Sequence, residues 1–210
     1  MDLDAVEVRV LGCLIEKQRT TPDVYPLSLN SLRAACNQST NRDPVVAYDE
    51  ATIRDALHRL GRRRWTRFAS GARAAKYRHL LDETPGLSVE EQALLAVLML
   101  RGGQTPGELR QRVERLYSFR DQGALEATLA GLIDRGFVSR HARRPGQKED
   151  RYAHRLSEEL EDEAPPESAP AASPAPSGPP PESRLDRLER ELATLTEQVA
   201  ELRAAAGLEP

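Results

Sequence analysis

The chain repeats one pattern, and that repeat restricts its fold more than any other feature. Leu3-Asp4-Ala5-Val6-Glu7 and Leu87-Ser88-Val89-Glu90-Glu91 lie 84 positions apart. Each sets a capping residue three positions before a Glu, the signature of a helix start whose free N–H groups are met by side chains. Val10, Leu11 and Leu14 then match Leu94, Leu95 and Leu98, and both helices run out into Thr-Pro, at Thr21-Pro22 and Thr105-Pro106. A second helical pattern follows, on Leu29, Leu32 and Cys36 in one copy and Leu109, Val113 and Leu116 in the other. Asp49 and Asp121 read as N-caps of a third helix. There Ile53, Leu57 and Leu60 match Leu125, Leu129 and Leu132 at an offset of 72, with Trp65 matching Phe137.

After the third helix the spacing shortens to strand-like pieces, predicted over 64–69 and 136–141. Loops follow at 70–73 and 143–148. Each copy closes with a second strand, carrying Tyr77 and His79 or Tyr152 and His154. The order helix, helix, helix, strand, turn, strand is that of the winged-helix form of the helix-turn-helix. The expected fold class is therefore mainly α with small β-hairpins (α+β): two tandem winged-helix domains, at 1–84 and 85–156. A unit of about 75 residues has a thin core, and packing two together buries more surface.

The remaining chain has a different character. Residues 157–182 are first acidic and then rich in Pro and Ala, which predicts a disordered linker, because proline removes backbone donors and favours extended chain. Residues 183–204 carry Leu185, Leu188, Leu192, Leu195, Val199 and Leu202 at alternating spacings of 3 and 4. That is the seam of a short coiled-coil helix, which predicts a homodimer or docking on another helix.

Charge separates the same segments. The net of −3 divides into +3 for 1–84, +3 for 85–156 and −9 for the tail. A uniformly acidic protein would argue against a nucleic-acid partner, whereas this distribution permits one. Of the cations, 27 are Arg and 3 are Lys, which enlarges every apparent basic patch.

Several strings resemble the bacterial YceH family: Thr20-Thr21-Pro22, Tyr25-Pro26-Leu27-Ser28, Ala35-Cys36-Asn37-Gln38, Thr40-Asn41-Arg42-Asp43-Pro44-Val45 and Gln104-Thr105-Pro106-Gly107-Glu108-Leu109-Arg110. The resemblance covers about residues 3–156. It implies two winged-helix domains and implies little about activity. The linker and the heptad helix lie outside it and look like an extension.

The chain carries no phosphate-binding glycine loop, no His-Glu-x-x-His and no Gly-x-Ser-x-Gly, so no enzyme chemistry, cofactor or metal is expected. Cys13 and Cys36 are too few for a disulfide framework or a structural zinc site, and are expected to be reduced. The start of the chain is acidic and lacks the basic, then apolar, order of a signal peptide. No apolar run reaches the roughly 18 residues of a membrane span. A cytoplasmic location is expected, with no membrane partner.

Double-stranded DNA is the partner expected first, with the protein as a regulator or accessory factor. The third helix of a winged helix enters the major groove and the wing meets the backbone. The contact candidates are Thr52, Arg54 and His58 on that helix, Arg67, Arg73 and Lys76 on the first hairpin, and Arg143, Arg144 and Lys148 on the second. The alternative is a protein-interaction scaffold. The stretch Asn37–Val46 has no counterpart in the second copy, where the path from Pro106 to Asp121 is twelve residues shorter than from Pro22 to Asp49. Its polar residues Asn37, Gln38, Thr40, Asn41 and Arg42 form either a recognition loop or a self-bonded turn between helices.

Overall fold

The computed structural model describes residues 3–70, 75–143 and 149–157. Over these residues the chain is α+β, with helices and two small antiparallel sheets. The first repeat runs α1 (Ala5–Thr20), a 3₁₀ turn (Pro22–Val24), β1 (Leu27–Ser28), α2 (Leu29–Cys36), α3 (Glu50–Arg62), β2 (Thr66–Ser70) and β3 (Ala75–His79). The second runs α4 (Val89–Arg101), α5 (Pro106–Val113), α6 (Gln122–Asp134), β4 (Val138–His141) and β5 (Arg151–His154). The coiled-coil seam Leu185–Leu202, and with it Arg73, Arg144 and Lys148, lies outside the described residues.

The helix starts are set locally. The Asp4 carboxylate accepts from the Glu7 N–H at 2.8 Å while Glu7 accepts from the Asp4 N–H at 2.9 Å. Ser88 with Glu91, and Thr105 with Glu108, make the same reciprocal pair. Asp49 and Asp121 cap α3 and α6 through the N–H groups of Thr52 and Ala124. Each cap meets a donor the helix leaves free, worth about 1 kcal/mol.

Two helices form the centre. In α1 every residue from Glu7 to Glu16 is buried, and in α4 every residue from Gln92 to Leu100. They pack on each other more extensively than any other pair of elements, and one continuous apolar core spans both repeats. Gly12 permits the approach: a Cβ there would lie 3.0 Å from the Leu100 side chain and 3.2 Å from the Met99 Cβ. The ends meet as well, since the Leu3 N–H donates to the Leu156 carbonyl at 2.8 Å.

The first sheet has the order β1-β3-β2, with Leu27 opposite Tyr77 and Phe68 also opposite Tyr77. The second pairs β4 with β5, and Gln104 makes one bridge to Tyr152 on the free side of β5. That bridge occupies the place of β1. Both hairpins begin two residues later than the sequence predicts. Arg64 and Gly136 have φ of 61° and 75° and close the preceding helix, so neither is extended. Leu116, expected on the second helix of its repeat, packs in the turn beyond α5. No helix of the described residues is long and apolar enough to cross a membrane.

Candidate functional site

The α3 face and the hairpin that follows it hold most of the first-repeat candidates. Arg54 and His58 are exposed on α3, while Thr52 is half-buried beside its cap. Several cations here are already matched. Arg54 lies 3.9 Å from Glu50, Arg59 pairs with Asp4 and Glu7 at the α1 cap, and Arg67 and Arg78 share Glu83 at 3.4 and 2.7 Å. Arg62, Arg64 and Lys76 are exposed and make no ion pair with another described residue.

Arg64 is unusual in its backbone. The turns ending α3 and α6 match bond for bond. Arg64 and Gly136 donate to the carbonyls of Gly61 and Ile133, and Trp65 and Phe137 donate to those of Leu60 and Leu132. The second repeat fills the left-handed position with glycine, the first with arginine. A side chain in that conformation costs about 1 kcal/mol. Beside it on the hairpin, Phe68 is 57% exposed and meets Tyr77 edge to face at 5.9 Å.

The second repeat does not mirror this surface. The exposed residues of α6 include Gly123, Glu126, Ala127 and Ala130 and no cation. On its hairpin Arg140 pairs with Asp150 at 2.5 Å, and the exposed Arg143 donates its backbone N–H to the same carboxylate at 3.0 Å.

The 37–46 loop is bonded to the protein itself. Arg42 and Glu16 form an ion pair at 2.5 Å with side chains 0% and 2% exposed. All five N–H groups of an arginine are engaged: Nε donates to the Ala35 carbonyl, and the other nitrogens donate to both Glu16 oxygens, the Asn41 carbonyl and Gln38 Oε1. Arg42 therefore has no donor left for a ligand. The Asn37 amide holds the Tyr48 backbone from both sides, at 2.8 and 2.9 Å. The Pro44 carbonyl accepts from Arg9 at 2.7 Å. Thr40 alone of the loop candidates is fully exposed. The loop also reaches the second repeat: the Asp43 N–H donates to the Leu100 carbonyl at 2.8 Å, Asn41 accepts from Arg101, and Glu16 accepts from Arg115.

The repeated histidines are structural fasteners. Nδ1 of His79 accepts from the Leu81 N–H at 3.3 Å, and Nδ1 of His154 from the Leu156 N–H at 3.4 Å. In His79 the proton therefore sits on Nε2, which donates to Gln18 at 2.6 Å. Burial pushes both imidazoles down to about 4, so they are neutral at pH 7. Cys13 and Cys36 are buried free thiols in contact, and the hydrogen bond that Cys36 donates to Cys13, together with burial, raises the Cys36 thiol. Among the described residues no group of three or more His, Cys, Asp or Glu side chains could hold a metal ion.

Residues 3–147 match the family model described as "Protein of unknown function, DUF480". A UPF0502 protein of Pelobacter propionicus is 47% identical over 206 residues, covering 97% of this chain and 94% of the relative. One from Pectobacterium atrosepticum is 45% identical over 211 residues, covering 96% and 98%. One from Geobacter sulfurreducens is 50% identical over 158 residues, covering 74% and 72%. The first two alignments run well past residue 156, so the linker and heptad segment are matched in those relatives and are not an extension peculiar to this chain.

Proposed function

We propose, from the premise that this chain belongs to the DUF480 family of bacterial proteins, that it is a tandem winged-helix protein binding double-stranded DNA. The first repeat provides the contact, with α3 toward the major groove and its hairpin along the backbone. The role is non-enzymatic and cytoplasmic, that of a regulator or accessory factor, and the heptad helix at 183–204 joins two copies.

The observation that carries this reading is Arg64. An arginine stands at a left-handed position where the second repeat has glycine, and the exposed Arg62 lies two residues before it. Backbone strain retained at an exposed cation is accounted for by a need for that cation. Phosphate recognition is a need that exposed Arg side chains between a helix end and a hairpin meet.

The test measures binding of the full chain to mixed-sequence duplex DNA by fluorescence anisotropy over a salt series. Each phosphate contact adds about 0.9 to the slope of log affinity against log salt. Arg64→Gly with Lys76→Ala is expected to lower the slope by about 1.8. Absence of binding at low salt, or an unchanged slope in the double variant, refutes the proposal.

The α6 surface, with small side chains and no exposed cation, supports a second reading, a protein-interaction scaffold without direct DNA contact. In-cell crosslinking that captures one specific protein, dependent on substitutions of Ala127 and Ala130, favours it. The coiled-coil dimer is tested by comparing the solution masses of the full chain and a chain ending at Glu163; equal oligomeric states remove it.

A further inference from the structure

A cavity of about 480 Å³ opens beside the junction of the repeats, between the end of α1, the 37–46 loop, α4 and α5. One wall is apolar, from Ala96, Val97, Leu100 and Leu116. Arg101 at the end of α4, with Arg112 and Arg115 from α5 and the turn beyond it, also lines the cavity. Their charges are unevenly answered. Arg115 reaches Glu16, but that carboxylate is already held by Arg42. Arg112 lies 3.5 Å from Glu108, a partly exposed pair along one helix. Arg101 donates to the neutral amide oxygen of Asn41 and makes no ion pair with a described carboxylate. Glu114 also lines the rim, where its Oε1 accepts from the Ser118 hydroxyl at 2.6 Å.

Arg101 accordingly sits below the usual arginine range, first through burial and then through repulsion from Arg112, Arg115 and Arg42. Guanidinium groups that outnumber their acceptors present planar sets of donors to a carboxylate or phosphate. Apolar side chains beside them, in a space of several hundred Å³, suit the body of a small ligand.

We propose that this cleft binds a small organic anion, a phosphate or carboxylate on an apolar body, with Arg101 and Arg112 on the anionic group and the Ala96, Val97 and Leu116 side chains against the body. Its walls come from both repeats, so an occupant braces their junction. The site is independent of DNA binding by the first hairpin.

The experiment follows the arginine Nε–H signals of the full chain by NMR during addition of inorganic phosphate, phenyl phosphate, benzoate and, separately, duplex DNA. The expected result is movement of the Arg101 and Arg112 signals with phenyl phosphate or benzoate, at lower concentration than with inorganic phosphate. The order of the two organic probes assigns phosphate or carboxylate. Arg101→Gln is expected to weaken binding by about tenfold, or 1.4 kcal/mol. Should that variant fail to fold, the wild-type signals decide by themselves. Three results overturn the proposal: no movement with any probe at millimolar concentration, organic probes binding no more tightly than inorganic phosphate, or movement with DNA alone.

Discussion

Replacing Arg42 with methionine tests whether the 37–46 loop is a structural joint. The substitution keeps a long apolar side chain and removes five hydrogen bonds, two of them to Glu16. Breaking a buried ion pair by deleting one partner costs about 3–5 kcal/mol, because the other charge stays buried. Here Glu16 keeps Arg115, whose side chain is 45% exposed, so the lower part of that range applies. The carbonyls of Ala35 and Asn41 lose a donor, which restores some of the cost. A loss of about 4 kcal/mol against a total of about 5–15 is severe. With a urea slope of about 2 kcal/mol per molar, the midpoint falls by about 2 M. Glu16→Gln alone is expected to cost at least as much, since Arg42 and Arg115 both lose their carboxylate. The double variant removes the buried pair together, so its cost is smaller than the sum by about 2 kcal/mol. A stability for Arg42→Met within about 0.5 kcal/mol of wild type, or strict additivity in the double variant, refutes the joint.

The buried histidines make stability depend on pH. Their folded values near 4 lie below the ordinary 6.5, so the unfolded chain binds more protons between those limits; stability is full above about pH 6.5 and falls toward pH 4. The loss is about 3 kcal/mol for each histidine, and a urea midpoint that stays flat from pH 7 to 4 contradicts it. Gly12→Val is expected to destabilise by about 2 kcal/mol, since its added carbons enter the space held by Leu100 and Met99; a melting temperature equal to wild type removes the close approach as the reason for the glycine. Arg64→Gly is expected to stabilise the fold by about 0.5–1 kcal/mol through relief of the left-handed conformation, and a lower melting temperature counts against the strain.

What the sequence makes legible is local. The caps at Asp4, Asp49, Ser88 and Asp121 each sit three positions before the N–H they accept, so neighbouring residues suffice to place them. β1 is two residues long and has no periodicity to read. Both hairpin starts shift because a helix-ending turn with a left-handed residue, Arg64 or Gly136, takes the first two positions of the predicted strand, and at Arg64 no glycine announces it. The joint is illegible for another reason: Glu16 meets Arg42 across 26 positions and Arg115 across 99. Polar density in the loop is visible in sequence, but recognition and self-bonding need the same residue types. Only the count of engaged N–H groups on Arg42 separates them. The sequence does not separate the candidates Arg67 and Lys76, because Glu83, which pairs with Arg67, lies 16 positions away.

Duplication accounts for the centre of the molecule, where corresponding helices α1 and α4 pack on each other as equivalent surfaces do in a two-fold dimer. The inserted loop breaks that equivalence. It exists in one copy only, and it fastens that copy to the α4 end of the other through Asp43 and Asn41. A junction made only of equivalent surfaces would hold both copies to the same sequence along it. An asymmetric joint lifts that requirement from the surfaces outside the core. The differences between the copies fall on such surfaces: Arg64 against Gly136, β1 against a single bridge at Gln104, and an α3 face with cations against an α6 face without. The shared core, continuous through ten buried positions of α1 and nine of α4, leaves each copy dependent on the other for burial while their outer faces diverge.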